Sequence, residues 1–375
     1  MPLIALLLCI LFHVVHSKIL LPGPSGPCQV HIKSTELVDT SRVDPYSPKH
    51  DVRAIMVSTF APIHCGEVHY MPYIPPRIFP EASRRMKLPN STLNIFELPS
   101  FAPSEDHHND TQKYPVILFS PGMGSSRLIY ANILEEVASA GFLVISIDHP
   151  HDAAAVEFPD GHVISMNPNI PHNVPLALET RVGDVIFTLN QLQRNIQSIL
   201  PSSFSRKLYL DNVAVVGHSE GGATAAATMF NDTRFAGGIN LDGSLFGPVV
   251  QKGLDRPLIN IGDPHLAKEQ HWAWDVIWSR LRGFKLQLRI NDIKHLGFTD
   301  LPLVFDSAPN AKALRNESAE HLGSLPGLGT LPGLRVRAIL AEYITAACGF
   351  FVTGKKSDLL NGPSPLYPEV VYVRQ

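Results

Sequence analysis

Chemistry in this chain gathers around one serine. Four apolar residues, Val213 to Val216, run into Gly217-His218-Ser219-Glu220-Gly221, which fits G-x-S-x-G, and small residues follow from Gly222 to Ala227. A serine hydroxyl at neutral pH attacks a carbonyl poorly unless a base takes its proton, and the base needs a carboxylate to hold its tautomer. The motif calls for a strand that ends at the serine and a helix that begins just after it. In that turn the serine is forced toward positive φ, and glycine two places before and two places after removes the Cβ clash. The helix then points its free N–H groups and its dipole at the place where an oxyanion would form. A P-loop is excluded, because the lysine it needs is missing.

Candidate partners lie downstream, in the order serine, acid, histidine expected for this geometry. His295, in NDIKHLGFTD, follows the last predicted strand and is the expected base. His265 and His271 are rivals placed just after the preceding strand or in its helix. Asp242 in INLDGS and Asp263 in LINIGDP each end a predicted strand, and strand-end placement alone leaves the acid open between them. One oxyanion donor is the N–H of Glu220, directly after the serine. The second is the N–H of Met123, between Gly122 and Gly124 in PVILFSPGMGSSR. Gly122-x-Gly124 on its own hints at a dinucleotide fingerprint, but Arg127 stands where the third glycine belongs, so no nicotinamide cofactor is expected. Asp148-His149-Pro150-His151-Asp152 carries metal-type side chains on a spacing stiffened by proline, and no metal is expected there.

The elements that must position these groups alternate from residue 114 onward. Short β-rich runs at 116–120, 142–148, 213–217, 238–242, 258–262 and 285–290 are separated by helical patterns at 128–140, 174–192 and 335–350. That alternation predicts an α/β fold, with a mostly parallel twisted sheet covered by helices on both faces. Before residue 100, runs at 29–38 and 53–60 predict antiparallel strands on one edge. The expected organisation is a single domain over 18–375, with edge strands and loops in 18–99 and a catalytic core in 100–355. Glu105 to Asp110 reads as a solvated turn, Pro150 to Pro171 as a functional loop, and LPGLGTLPGL at 325–334 as an apolar loop lying against the body. Trp272, Trp274 and Trp278 fall in one helical segment, and Trp272 points away from the face shared by the other two.

Composition narrows the partners. The net charge is −3 and Lys and Arg form no runs, so nucleic acid is excluded. The opening run MPLIALLLCILFHVVHS is shorter than the roughly 18 to 20 residues of a spanning helix. It reads as a signal peptide over 1–17, and no transmembrane segment is expected elsewhere. Sequons at Asn90, Asn109, Asn231 and Asn316 suit a secreted glycoprotein. Of the three cysteines after residue 17, Cys28 and Cys65 form the candidate disulfide, and Cys348 reads as a buried thiol.

FSPGMGSSRLIYANILEEVASAGFLVISIDHPHD, GHSEGGATA, INLDGS and KHLGFTD, in this order and spacing, resemble the plasma-type platelet-activating factor acetylhydrolase family of secreted serine esterases. The resemblance is densest over residues 100–300. It implies an α/β-hydrolase fold, a reaction without metal or other cofactor, and hydrolysis of short or oxidised acyl esters of glycerophospholipids, with contact to a lipid surface. It also implies Ser219 as nucleophile, His295 as base, Met123 and Glu220 as oxyanion donors, and Asp242 rather than Asp263 as the acid. Two places depart from the family: Glu220 stands where an aromatic residue is usual, and Gly243-Ser244 stand where bulkier residues usually follow the acid. Alternatives on the same fold are a general carboxylesterase or polyester hydrolase, and an acyl-transfer or ring-closing enzyme. A binding protein with a silent triad is the alternative from another class.

Overall fold

The computed structural model describes residues 18–375 apart from 87, 89–91, 104–112, 201–203, 205–206, 264–267 and 323–324. The segment 1–17, the turn at Glu105 to Asp110, Asn90, Asn109 and His265 therefore lie outside the described residues, as does the side chain of His271.

Nine of the described strands form one sheet. They are β1 (Gln29–Val43), β2 (Val52–Ile63), β3 (Val116–Ser120), β4 (Leu143–Asp148), β5 (Val213–His218), β6 (Phe235–Leu241), β7 (Leu258–Gly262), β8 (Lys285–Ile290) and β9 (Val370–Arg374). Their order across the sheet is β9-β8-β7-β6-β5-β3-β4-β2-β1. The strands from β3 to β8 run parallel. Strands β1 and β2 close one side antiparallel, and β9 closes the other.

Burial on both faces explains why the central strands read as unbroken apolar runs. Ile117, Phe119, Ala214 and Val216 pack into one core, while Val116, Leu118, Val213 and Val215 pack into the other. Helices α1 (Ala131–Ser139) and α5 (Gly333–Thr353) cover the first face. Helices α2 (Val174–Arg194), α3 (Glu220–Asn231) and α4 (Lys268–Trp278) cover the second.

Several boundaries differ from the sequence reading for identifiable reasons. The helix expected over 128–140 starts as a 3-10 turn, Arg127–Tyr130, capped by the side chain of Ser126. Arg127 is pinned there: its backbone N–H and guanidinium both bond Asp148 at the end of β4. Strand β6 ends at Leu241, so Asp242 has already left it, at φ 52°. The added strand Phe96–Pro103 contains two prolines, Pro99 and Pro103, which argue against a strand in sequence. It is tolerated because Ile19–Leu20 pairs only with Phe96 and Glu97, so Pro99 faces no acceptor on that side. The 150–171 loop holds a two-stranded ribbon, Ala155–Glu157 with Val163–Ser165.

Helix α5 is long and apolar enough to span a membrane by length and composition alone, a test that a buried core helix also meets. Its 18-residue apolar window is 61% buried within the protein, where α5 packs on α1 and the sheet. The 325–334 loop does lie against the body: Leu328 and Leu331 are buried, and Gly329 at φ 76° bridges Ile293. Trp274 is buried and Trp272 is 60% exposed.

Candidate active site

Ser219 sits between β5 and α3 at φ 57° and ψ −123°. The glycines around it are fixed by contact. A Cβ on Gly217 would fall 1.9 Å from the Gly221 carbonyl oxygen, and one on Gly221 would fall 1.9 Å from that of Ser120. One on Gly222 would fall 1.7 Å from Asn240 Oδ1. No real Cβ approaches so closely, so the G-x-S-x-G-G sequence is a packing requirement of the corner and of its fit against β3 and β6.

Three chain segments meet at this corner. His295 opens a short 3-10 turn, His295–Phe298, after β8. Its Nε2 lies 3.0 Å from Ser219 Oγ, and its Nδ1 lies 2.6 Å from Asp242 Oδ2. Asp242 is 1% exposed, and its other oxygen accepts the N–H of Asp263 at 2.8 Å. Asp263 thus enters the site through its backbone, and the carboxylate that meets His295 Nδ1 is that of Asp242. With both its oxygens bonded, Asp242 is oriented to accept the Nδ1–H hydrogen bond, which keeps the imidazole proton on Nδ1 and leaves Nε2 unprotonated toward the serine.

The loop of His295 is held at two points that sequence reasoning missed. Buried His218 places Nε2 3.0 Å from the backbone oxygen of His295 and Nδ1 2.8 Å from Tyr130 Oη. A carbonyl only accepts, so Nε2 carries the proton and Tyr130 donates to Nδ1. Burial, and then the neighbouring His295, push the His218 pKa well below its ordinary value and keep it neutral. The Tyr130 hydroxyl in turn accepts the N–H of Gly122, which links the serine corner, the histidine loop and the glycine loop. The only sequence signal for this was a histidine inside the motif itself.

The second point is Asp300, fully buried, which accepts the N–H groups of Asn132 and Ile133 at the start of α1. Burial raises its pKa to about 7, against the pull of those two donors and of the Tyr73 hydroxyl.

A cavity of about 200 Å³ opens on Ser219 and His295. Gly122, Met123 and Gly124 line it, as do Ile74, Ile78, Ile129, Leu296 and Leu301. Among the described residues the lining holds no Lys, Arg, Asp or Glu. Ala154 and Ala155 bring the 150–171 loop to the wall. The polar side chains of the Asp148 to Asp152 stretch are turned to partners in the protein: Asp148 pairs with Arg127, Asp152 pairs with Arg181, and buried His149, its pKa lowered by desolvation, donates Nδ1–H to Asp184 at 2.9 Å. Glu220 is 5% exposed, with its carboxylate 3.9 Å from Arg181. Burial raises its pKa to about 7, and Arg181 only partly offsets that.

A parallel sheet carrying a serine on a strand–turn–helix corner, met by a histidine and a carboxylate from later strand ends, makes this chain an α/β-hydrolase. Residues 85–164 and 179–307 match the family described as platelet-activating factor acetylhydrolase, isoform II. A protein of Arthroderma benhamiae named probable 1-alkyl-2-acetylglycerophosphocholine esterase is 31% identical, over 96% of this chain and 95% of its own. The platelet-activating factor acetylhydrolase of Bos taurus is 29% identical over 41% of each chain. A ferulic acid esterase from Streptomyces cinnamoneus superposes with TM-score 0.79 at 28% identity, covering 96% of this chain and all of that one. The chain belongs to the platelet-activating factor acetylhydrolase family and is an ester hydrolase.

Proposed function

We propose that the chain hydrolyses carboxylic esters through a covalent acyl-enzyme on Ser219. His295 takes the hydroxyl proton as Oγ attacks the ester carbonyl, while Asp242 holds the imidazole in the required tautomer. The N–H groups of Met123 and Glu220 receive the oxyanion. His295 then returns the proton to the departing alcohol and activates the water that releases the acid. The observation that carries this reading is the continuous chain from Ser219 Oγ through His295 to Asp242, at 3.0 Å and 2.6 Å, on the wall of an apolar cavity.

The substrate is an acyl ester of a glycerophospholipid whose acyl chain enters the apolar cavity and whose head group stays outside. The names of the fungal and bovine relatives support this choice. The absence of charged side chains from the described lining supports the placement of the head group. The same lining, with the ferulic acid esterase likeness, favours as a second reading an esterase indifferent to phospholipid. Turnover of a short-acyl phosphatidylcholine against the matching neutral triacylglycerol separates the two. A fluorophosphonate probe that labels the wild type but not Ser219→Ala tests the nucleophile, and labelling of neither protein would overturn it.

Secretion belongs to the same proposal. Asn231 and Asn316 are exposed, as glycan acceptors must be. The pairing of Gln29 with Ile63 brings the segments carrying Cys28 and Cys65 together, as a disulfide requires. Recovery from the culture medium, with a mobility shift on deglycosylation, is the expected result; retention in the cell without glycan would contradict it.

A further inference from the structure

Met123 and Glu220 come from different chain segments, yet one buried side chain reaches the surroundings of both. Arg181, in the first half of α2, is 1% exposed. Its Nη1 donates to the carbonyl oxygen of Pro121 at 2.8 Å and to Ser120 Oγ at 3.3 Å. Its Nε donates to Asp152 Oδ2 at 2.7 Å, and Nη2 bonds the other oxygen of the same carboxylate. Asp152 in turn takes the N–H of Gly124, through its backbone oxygen at 3.0 Å and its Oδ1 at 3.4 Å. The residue two before Met123 and the residue just after it are thus both tied to the Arg181–Asp152 pair.

The other arm ends on the same cation. Glu220 Oε2 lies 3.9 Å from Arg181 Nε, and neither Glu220 oxygen has a hydrogen-bond partner among the described residues. A buried carboxylate without hydrogen bonds has only that guanidinium to offset its charge. Arg181 keeps its own charge despite burial, because Asp152 and Glu220 outweigh the loss of solvent.

We infer that Arg181 is a positioning residue that sets the spacing between the Met123 and Glu220 N–H groups, by holding the Pro121–Gly124 loop and the start of α3 on one buried guanidinium. The inference rests on the proposed reading of those N–H groups as the oxyanion site. It also gives the unusual glutamate after the nucleophile a task, as the carboxyl group that sets the helix arm beside the cation under the loop arm. Arg181 lines no part of the substrate cavity among the described residues, so its influence passes through the two backbone donors.

The test compares wild type, Arg181→Gln and Arg181→Lys on p-nitrophenyl butyrate, together with the inhibition constant of phenylboronic acid. The boronate forms a tetrahedral adduct on serine and needs the same N–H groups as the transition state. Misplacing one donor costs roughly 100-fold in kcat. Arg181→Gln is expected to lose about that much with KM unchanged, and Arg181→Lys about tenfold, with boronate affinity falling in step with kcat/KM. Should Arg181→Gln not fold, Arg181→Lys and Asp152→Asn carry the same readout, with thermal unfolding as the check on folding. Folded variants with unchanged kcat, or with lowered kcat and unchanged boronate affinity, overturn the inference. Ser219→Ala separates it from the underlying proposal: residual wild-type turnover in that variant sinks the nucleophile itself, whatever the Arg181 variants do.

Discussion

Replacing Asp242 by asparagine changes one atom and should cost nearly all activity. In the native site Asp242 Oδ1 accepts the N–H of Asp263 at 2.8 Å, and Oδ2 faces His295 Nδ1 at 2.6 Å. An amide at this position must keep its oxygen toward the Asp263 N–H, because a turned NH2 would oppose another donor. Its NH2 then faces Nδ1, which can only respond by accepting. The imidazole proton moves to Nε2, the atom 3.0 Å from Ser219 Oγ, and the base is blocked. Loss of the correct tautomer is worth about 10⁴ in kcat, or about 5 kcal/mol. Steady-state hydrolysis of p-nitrophenyl butyrate, with thermal unfolding to show that the fold is intact, measures it. Asp263→Asn is the control and should stay within a few-fold of wild type, since that residue contributes its backbone N–H. A folded Asp242→Asn protein within tenfold of wild type, or a large loss on Asp263→Asn instead, would refute the reasoning.

Other perturbations follow from buried groups and strained backbone. Glu220 titrates near 7 in the folded protein against an ordinary value of 4.5, so the folded state holds its proton more tightly. Stability attached to this group is therefore full below about pH 4.5 and is lost as pH rises through 7. Glu220→Gln should remove up to about 3 kcal/mol of that decline, seen as a flatter unfolding free energy between pH 5 and pH 8. An unchanged slope would show that the carboxylate is not held protonated. Ser219→Gly relieves a positive φ of 57° and should raise stability by about 1 kcal/mol while abolishing turnover; a fall in melting temperature would deny the strain. Cys65→Ser should lower the melting temperature of secreted protein and leave one alkylatable thiol at Cys28. If both thiols already react in unreduced wild type, the disulfide is absent.

What was legible in the sequence follows what the chain must do locally. The strands at 116–120, 258–262 and 285–290 have the predicted limits, because burial on both faces makes their apolar runs start and stop sharply. The serine corner was legible because its glycines are demanded by clashes of 1.7 to 1.9 Å. Strand β9 was not, since VVYVR gains its place only by pairing with β8, a contact no local pattern encodes. The acid stayed divided between Asp242 and Asp263 for a related reason. Both end adjacent strands, and only three-dimensional register shows one presenting its carboxylate and the other its N–H. The roles of Arg181, His218 and Tyr130 were not legible because each acts across long stretches of chain, Arg181 and His218 on backbone carbonyls and Tyr130 on His218, contacts that carry no sequence signature.

The central claim is that Ser219 carries the acyl group between attack and release, and trapping that group tests it most directly. Wild-type protein mixed with excess p-nitrophenyl butyrate and acid-quenched within milliseconds should gain the mass of one butyryl group, mapped by peptide mass spectrometry to the peptide containing Ser219. An alcohol burst equal to the enzyme concentration should accompany it. Butyryl mass on another residue, or hydrolysis by wild type that survives unchanged in Ser219→Ala, would contradict the account.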